Sequence, residues 1–401
     1  MFAPLLLALA PQAAPPPDWV VPPGSTVIYD TALGPVRVNS LTVQPGGYLR
    51  IVGPQPFVLI ADSHVLVDGP IDASGLDAKV VGSLFTPQIP EPGAAGAAGG
   101  GQGGMGSPET TASSPKGGDG YVSGATFTVP RGARGGESGY SPATDKQQRR
   151  GAGGGGGALG PNEVGGTEPG LVAEPGHDGH PLGLGAISGA SPPKGGAVNP
   201  IPFVDGDPAN DFWGRKLDAA SGQIVLGELA TPRSGVGGGA GGDSISSATF
   251  PSTPFGPPYQ FDKKGAAGGG GGGLVVIVSR QITIGAAGAV VADGGDGSTG
   301  ENVLGFDHIA GSSGGGSGGM ILLEAEDFDL SAAGANALSA RGGIGGIGKT
   351  TAEPLSKGGN GGPGLIQLHV RDAAQHLALP ASTGLDALSA PNAHVLLPEL
   401  Y

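Results

Sequence analysis

The chain has 401 residues, enough for a large buried core, but its 84 glycines and 38 prolines reach about 30% of the total, the level of low-complexity sequence. A formal charge of −14 works against phosphate backbones and anionic membranes as partners, and the lack of cysteine excludes disulfides, zinc–thiolate sites and cysteine nucleophiles. Hydrophobic residues still make up 38% and gather in alternating runs, so parts of the chain must fold.

The first element, residues 1–14, has a short apolar run (Leu5 to Ala10) followed by small residues and prolines. It looks like a signal peptide cut near Ala13 or Ala14, although no basic residue precedes the run. The expectation is a secreted or cell-surface protein with no membrane span, because no stretch is long and apolar enough to cross a bilayer. Residues 25–80 come next. Here "SLTVQPGGYLRIVG" from Ser40 matches "HVLVDGPIDASG" from His64, pairing Leu41 with Val65 and Val43 with Val67 at an offset of 24 residues. Apolar residues alternate with polar ones, the period of a half-buried strand.

Residues 81–270 form a Gly/Pro-rich insert with one short strand candidate, Gly124 to Pro130. Glycine recurs at every third position through Gly93, Gly96 and Gly99, then out of phase through Gly100, Gly103 and Gly106. Longer runs lie at 151–160, 235–242 and 265–273. Glycine in an ordered element costs roughly 0.5–1 kcal/mol relative to alanine. Either these runs are loose linkers, or they are extended threefold strands packed where no Cβ holds the backbones apart. A collagen repeat is excluded, since the period does not persist.

In residues 271–372, "LVVIVSRQITIGAAGAVVADGG" from Leu274 and "MILLEAEDFDLSAAGANALSARGG" from Met320 align with each other and with "FVLIADSHVLVDGPIDASG" from Phe57. A shortened copy starts at Leu365. Eight residues from each start stand Val65, Ile282 and Phe328; ten residues on stand Val67, Ile284 and Leu330. All six are expected to be buried in parallel strands. The spacing of 45 to 46 residues reads either as one pass with a glycine-rich excursion or as two passes of which one is degenerate; the excursion is preferred, because Gly294 to Gly319 holds only isolated apolar residues. Asp293 and Arg341 then fall at equivalent points and are expected to meet as a charge pair. Residues 373–401 complete the chain as a tail or cap.

This alternation, unit length and turn glycine pattern resembles the right-handed parallel β-helix family over about residues 25–80 and 270–372. The resemblance implies an all-β solenoid of stacked coils. The glycine runs resemble the polyglycine-II bundles of some phage adhesins and the glycine-rich repeats of bacterial surface proteins, so each excursion is expected to leave the solenoid, join such a bundle and return.

Three clusters could carry chemistry. Asp205, Asp207 and Asp211, with Asn210, offer hard oxygen ligands for calcium on a short loop; the same residues suit an Asx-rich turn. His177, Asp178 and His180 could hold a transition metal or stand as exposed loop polarity. Asp293 to Glu301, with Asp307 and His308, could furnish paired carboxylates for proton transfer on a groove, or a solvated acidic loop. No nucleophile elbow, zincin helix or phosphate-binding loop is present, and no cofactor other than calcium is suggested. The reading that follows is an exported structural or adhesive protein of a bacterial surface or matrix, presenting loops on a rigid rod, with surface polysaccharide or like chains as partners. The alternative is a carbohydrate-active β-helix enzyme or carbohydrate-binding module, against which the aromatic content of 5% counts. Ice binding would call for ranked threonine ladders, which the sequence lacks.

Overall fold

The computed structural model describes residues 17–79, 90–106, 209–218, 221–250, 259–301, 308–348 and 355–370, and shorter pieces that include 133–137, 149–159, 173–178, 194–198, 389–391 and 393–397. The 1–14 segment, the strand candidate Gly124 to Pro130, Asp205, His180 and Asp307 lie outside the described residues.

Six strands precede the insert: β1 (Trp19–Val21), β2 (Thr26–Asp30), β3 (Val36–Val43), β4 (Tyr48–Val52), β5 (Phe57–Val67) and β6 (Pro70–Asp72). Within it lie β7 (Gly139–Ser141), β8 (Arg149–Arg150), β9 (Leu184–Gly185), β10 (Arg215–Leu217), β11 (Ile224–Leu226), β12 (Ser244–Phe250) and β13 (Tyr259–Lys263). After it come β14 (Leu274–Val278), β15 (Gln281–Ile284), β16 (Ala289–Val291), β17 (His308–Ile309), β18 (Met320–Ala325), β19 (Asp327–Asp329), β20 (Leu338–Ser339), β21 (Leu365–Val370), β22 (Ser389–Ala390) and β23 (His394–Leu396).

The protein is built on two parallel sheets. One runs β1-β3-β5-β14-β18-β21-β23, with β15 on β5 and β19 on β15; the other runs β2-β4-β6-β16-β20-β22. The chain visits the sheets in turn, so each pass lays new strands beside those of the pass before. The whole insert fits between two adjacent passes, because β14 pairs directly with β5. Parallel strands need long connections, and here the glycine tracts serve as several of them.

Strand alternation sends every second side chain inward. Leu41 pairs with Val65, Val65 with Ile282 and Ile282 with Phe328, and all four are buried. Val43, Val67 and Ile284 repeat this one step along, and Leu330, just past β19, is buried as well. Each such side chain contributes about 1.5–3 kcal/mol through burial. Leu274 pairs with Met320 and Met320 with Leu365, so the 46- and 45-residue spacings each separate neighbouring passes.

Three details differ from expectation. Phe57 pairs with Val275, not Leu274, while Val65 does pair with Ile282. Between Ile60 and His64 β5 has one residue more than the chain between Val278 and Gln281, a bulge at the polar break. Phe57 therefore points into the core, whereas Leu274 belongs to a second apolar cluster. The insert also holds more strands than one candidate: β12 and β13 pair antiparallel, and β10 and β11 form a hairpin. Finally, the sheets start at Trp19 and continue to Leu396, past both ends of the two repeat regions. No helix among the described residues is long and apolar enough to cross a membrane.

Candidate functional site

The glycine tracts pack against one another beside the sheets, and tract 310–319 shows how. A threefold extended strand turns its amides by 120° per residue, so every third N–H faces the same neighbour. Gly311, Gly314 and Ser317 donate to the carbonyls of Gly242, Gly239 and Val236; Ser312, Gly315 and Gly318 to those of Ser356, Gly359 and Gly362; Ser313, Gly316 and Gly319 to those of Ser298, Gly295 and Ala292. Nine consecutive amides thus serve three neighbouring tracts in strict rotation. Three more tracts donate in return: Ala266, Gly269 and Gly272 from one, Gly154 and Gly157 from a second, Gly343 and Gly346 from a third. Tract 310–319 therefore has six neighbours, three running with it and three against it.

Packing, not backbone conformation, demands glycine here. None of the positive-φ glycines falls in 310–319, so an L residue could adopt this backbone. A Cβ on Gly314 would overlap the carbonyl of Gly155, and one on Gly316 that of Gly270, well inside 3.0 Å. Since the overlapped atoms are backbone, nothing nearby can swing aside.

At the edge of this array a tract runs out of neighbours, and polar side chains stand in for them. Asp293 Oδ1 accepts the amide of Arg341 at 2.7 Å and Asp296 Oδ1 that of Ile344 at 2.7 Å, both across 48 residues. One tract further on, Ser74 Oγ and Asp77 Oδ1 accept the amides of Asp293 and Asp296, both across 219 residues. The caps recur every third residue because the outward amides do. Burial raises the carboxyl pKa of both Asp293 and Asp296. The end of the array remote from the sheets is closed by two buried ion pairs, Lys263–Glu301 at 2.7 Å and Lys264–Asp243 at 2.9 Å.

The expected Asp293–Arg341 charge pair is thus replaced by a shorter-range contact. The two passes are adjacent, but Asp293 takes the Arg341 amide and the Ser339 hydroxyl, while the guanidinium donates to Asn336 Oδ1 at 3.0 Å. Where the second sheet meets the array, Asp72 accepts from Tyr48 Oη and the Ser74 amide and pairs with Arg50 at 2.8 Å. Burial opposes its ionisation, but the hydrogen bonds from Tyr48 and Ser74, with Arg50, hold its pKa below the usual value. Burial and the bond to Asp72 push Tyr48 up to about 12. Asp72 and Asp293 are thus shifted in opposite directions, the pattern of an acid–base pair, yet both carboxylates already accept hydrogen bonds from the protein itself.

Of the proposed calcium ligands, exposed Asp207 accepts the amide of Ala209 in an Asx turn, and Asp211 is buried. Asp178 pairs with Lys194 at 2.7 Å and accepts the Gly195 amide, while the backbone of His177 bonds to Lys357, so this pair fastens neighbouring tracts. Glu301 is spent on Lys263 and the amide of Lys264. Among the described residues no three His, Asp or Glu side chains are grouped to hold a metal ion. The D-x-x-D spacing of Asp293 and Asp296 is the mark the edge caps leave in the sequence, and reading it needs the threefold geometry. Comparison with protein-family models, with curated proteins and with solved structures gives no match to the chain.

Proposed function

We propose that the chain is an exported structural or adhesive protein of a bacterial surface or matrix. In this reading its two parallel sheets are faces of a β-helix, and its glycine tracts form a polyglycine-II bundle that holds the connecting loops on a rigid support. The observation that carries it is the rotation of amides 311–319 among three neighbours. Such an array orders backbone without side chains, which suits a rod and supplies no reacting group. Asp77, Asp293 and Asp296 accept its spare amides, and Lys263–Glu301 and Lys264–Asp243 pair with each other, which directs that polar chemistry inward. The acidic balance agrees with a partner other than nucleic acid, and surface polysaccharide or like chains remain the partners to test.

The test is to incubate the full chain with a panel of insoluble neutral and anionic polysaccharides, scoring retention of protein and release of new reducing ends. Retention without release is expected. Release that disappears in Asp72→Asn or Asp293→Asn would instead establish the carbohydrate-active enzyme.

A further inference from the structure

Residues 209–218 and 221–229 belong to the middle of the insert, yet they lie across the outer face of the first sheet. The segment is tied to itself by the β10–β11 hairpin and by the bond from the Leu229 amide to the Phe212 carbonyl. Leu229 and Trp213 cover Leu274, Met320, Leu322 and Leu365, an apolar row on the side of the sheet opposite the main core. Gln367 Nε2 donates to the Trp213 carbonyl at 3.2 Å, and the Leu397 amide donates to that of Arg215 at 2.9 Å.

Two histidines sit under this segment. The Trp213 ring lies 5.5 Å from that of His369, and the Phe212 ring 5.7 Å from that of His394. His369 is 1% exposed, and its Nε2 and Gln367 Oε1 are buried with no hydrogen-bond partner. A neutral imidazole tolerates this site; an imidazolium there would be a charge almost wholly cut off from solvent. Burial pushes both histidines down to about 4, and Lys216 adds repulsion at His394. The other charged groups on the elements packed here are Glu324, next to His369 on β18, Arg215 on β10, and Asp211 and Glu228 on the flanks of the segment.

We propose that residues 209–218 and 221–229 act as an acid-released strap, docked while His369 and His394 are neutral and lifted when they take up protons, which uncovers the apolar row beneath. The sign follows from the direction of the shifts. A group whose docked pKa lies below its ordinary value contributes docking stability that is complete above the ordinary value and is lost as pH falls toward the docked one. The loss therefore falls between about pH 6.5 and 4.

Trp19 and Trp213 are the two tryptophans, so Trp19→Phe leaves Trp213 as the sole reporter. On acidification of that protein, Trp213 emission should shift to the red and an apolar dye should bind, while the far-ultraviolet dichroism of the sheets holds. Adding His369→Gln and His394→Gln should remove the step. The proposal fails if the emission does not move down to pH 4, if the step survives both substitutions, or if it coincides with loss of the sheet signal. Should the combined variant not fold, proton NMR of the Trp19→Phe protein decides. Two imidazoles titrating together with the emission step support the strap, and imidazoles titrating independently of it overturn it.

Discussion

The two sheets and the glycine array order the chain by opposite means. In the sheets, side chains do the sorting: Leu41, Val65, Ile282 and Phe328 form one buried column, and the backbone follows. In the array the backbone is the packing surface, and tract 310–319 meets six neighbours without one large side chain. A core tolerates a smaller residue at the cost of a cavity. At crowded positions such as Gly314 and Gly316 the array has no room for a larger one. The two regions should therefore fail under opposite substitutions.

The largest effect is expected on the sheet side, where Phe328→Ala should cost about 3–5 kcal/mol in denaturant unfolding through the cavity it leaves. Cutting the buried Lys264–Asp243 pair comes next. Lys264→Met should cost about 3 kcal/mol or more by removing the cation beside a buried carboxylate, and adding Asp243→Leu should recover part of that loss. Within the array, Gly314→Ala should cost about 1–3 kcal/mol, although alanine is harmless in most contexts. Gly334→Ala is the control: its Cβ would meet nothing nearer than Ala286 O at 3.4 Å, so a change within about 0.5 kcal/mol is expected. Equal effects of these two glycine substitutions would remove the contrast between the regions.

The smallest effect sharpens the account of the array's edge. Burial raises the pKa of Asp293, so its contribution to stability is present at low pH and lost as pH rises through the folded value. Asp293→Asn keeps an acceptor for the Arg341 amide and does not titrate. Melting temperature measured against pH should therefore favour the variant increasingly as pH rises above the ordinary carboxylate range. Asp72 should show the reverse. Its pKa is lowered, so the stability it contributes is lost on acidification, and Asp72→Asn should flatten the acid limb.

How much of this was legible beforehand depended on how local the information was. The pairings of Leu41 with Val65 and of Ile282 with Phe328 could be read, because period-two alternation and a repeated offset together fix a register. The Phe57 pairing could not, since one extra residue in β5 shifts it and bulges leave no mark in an apolar pattern. Asp293 and Arg341 fell in the right passes, but counting charges favoured the guanidinium, while the outward amide of Arg341 had the greater need of an acceptor. The threefold glycine spacing at Gly93 to Gly99 hinted at packed tracts without saying which tract meets which. Least legible was the strap, whose bond from Gln367 to Trp213 spans 154 residues.

The rotation of amides has a further consequence for how the tracts find their places. A glycine strand moved along its axis by three residues presents the same amides to the same neighbours, so its own hydrogen bonds do not distinguish one setting from the next. Such a strand slides by detents of about 9 Å. What stops it must be side chains at fixed points: Ser317 Oγ receiving the Val236 amide at 2.7 Å, Ser313 Oγ receiving that of Ser298 at 2.8 Å, and the aspartates along the rim. The few residues that interrupt the glycine are thus indexing pins, and a chain purged of them would keep its bonds while losing its address.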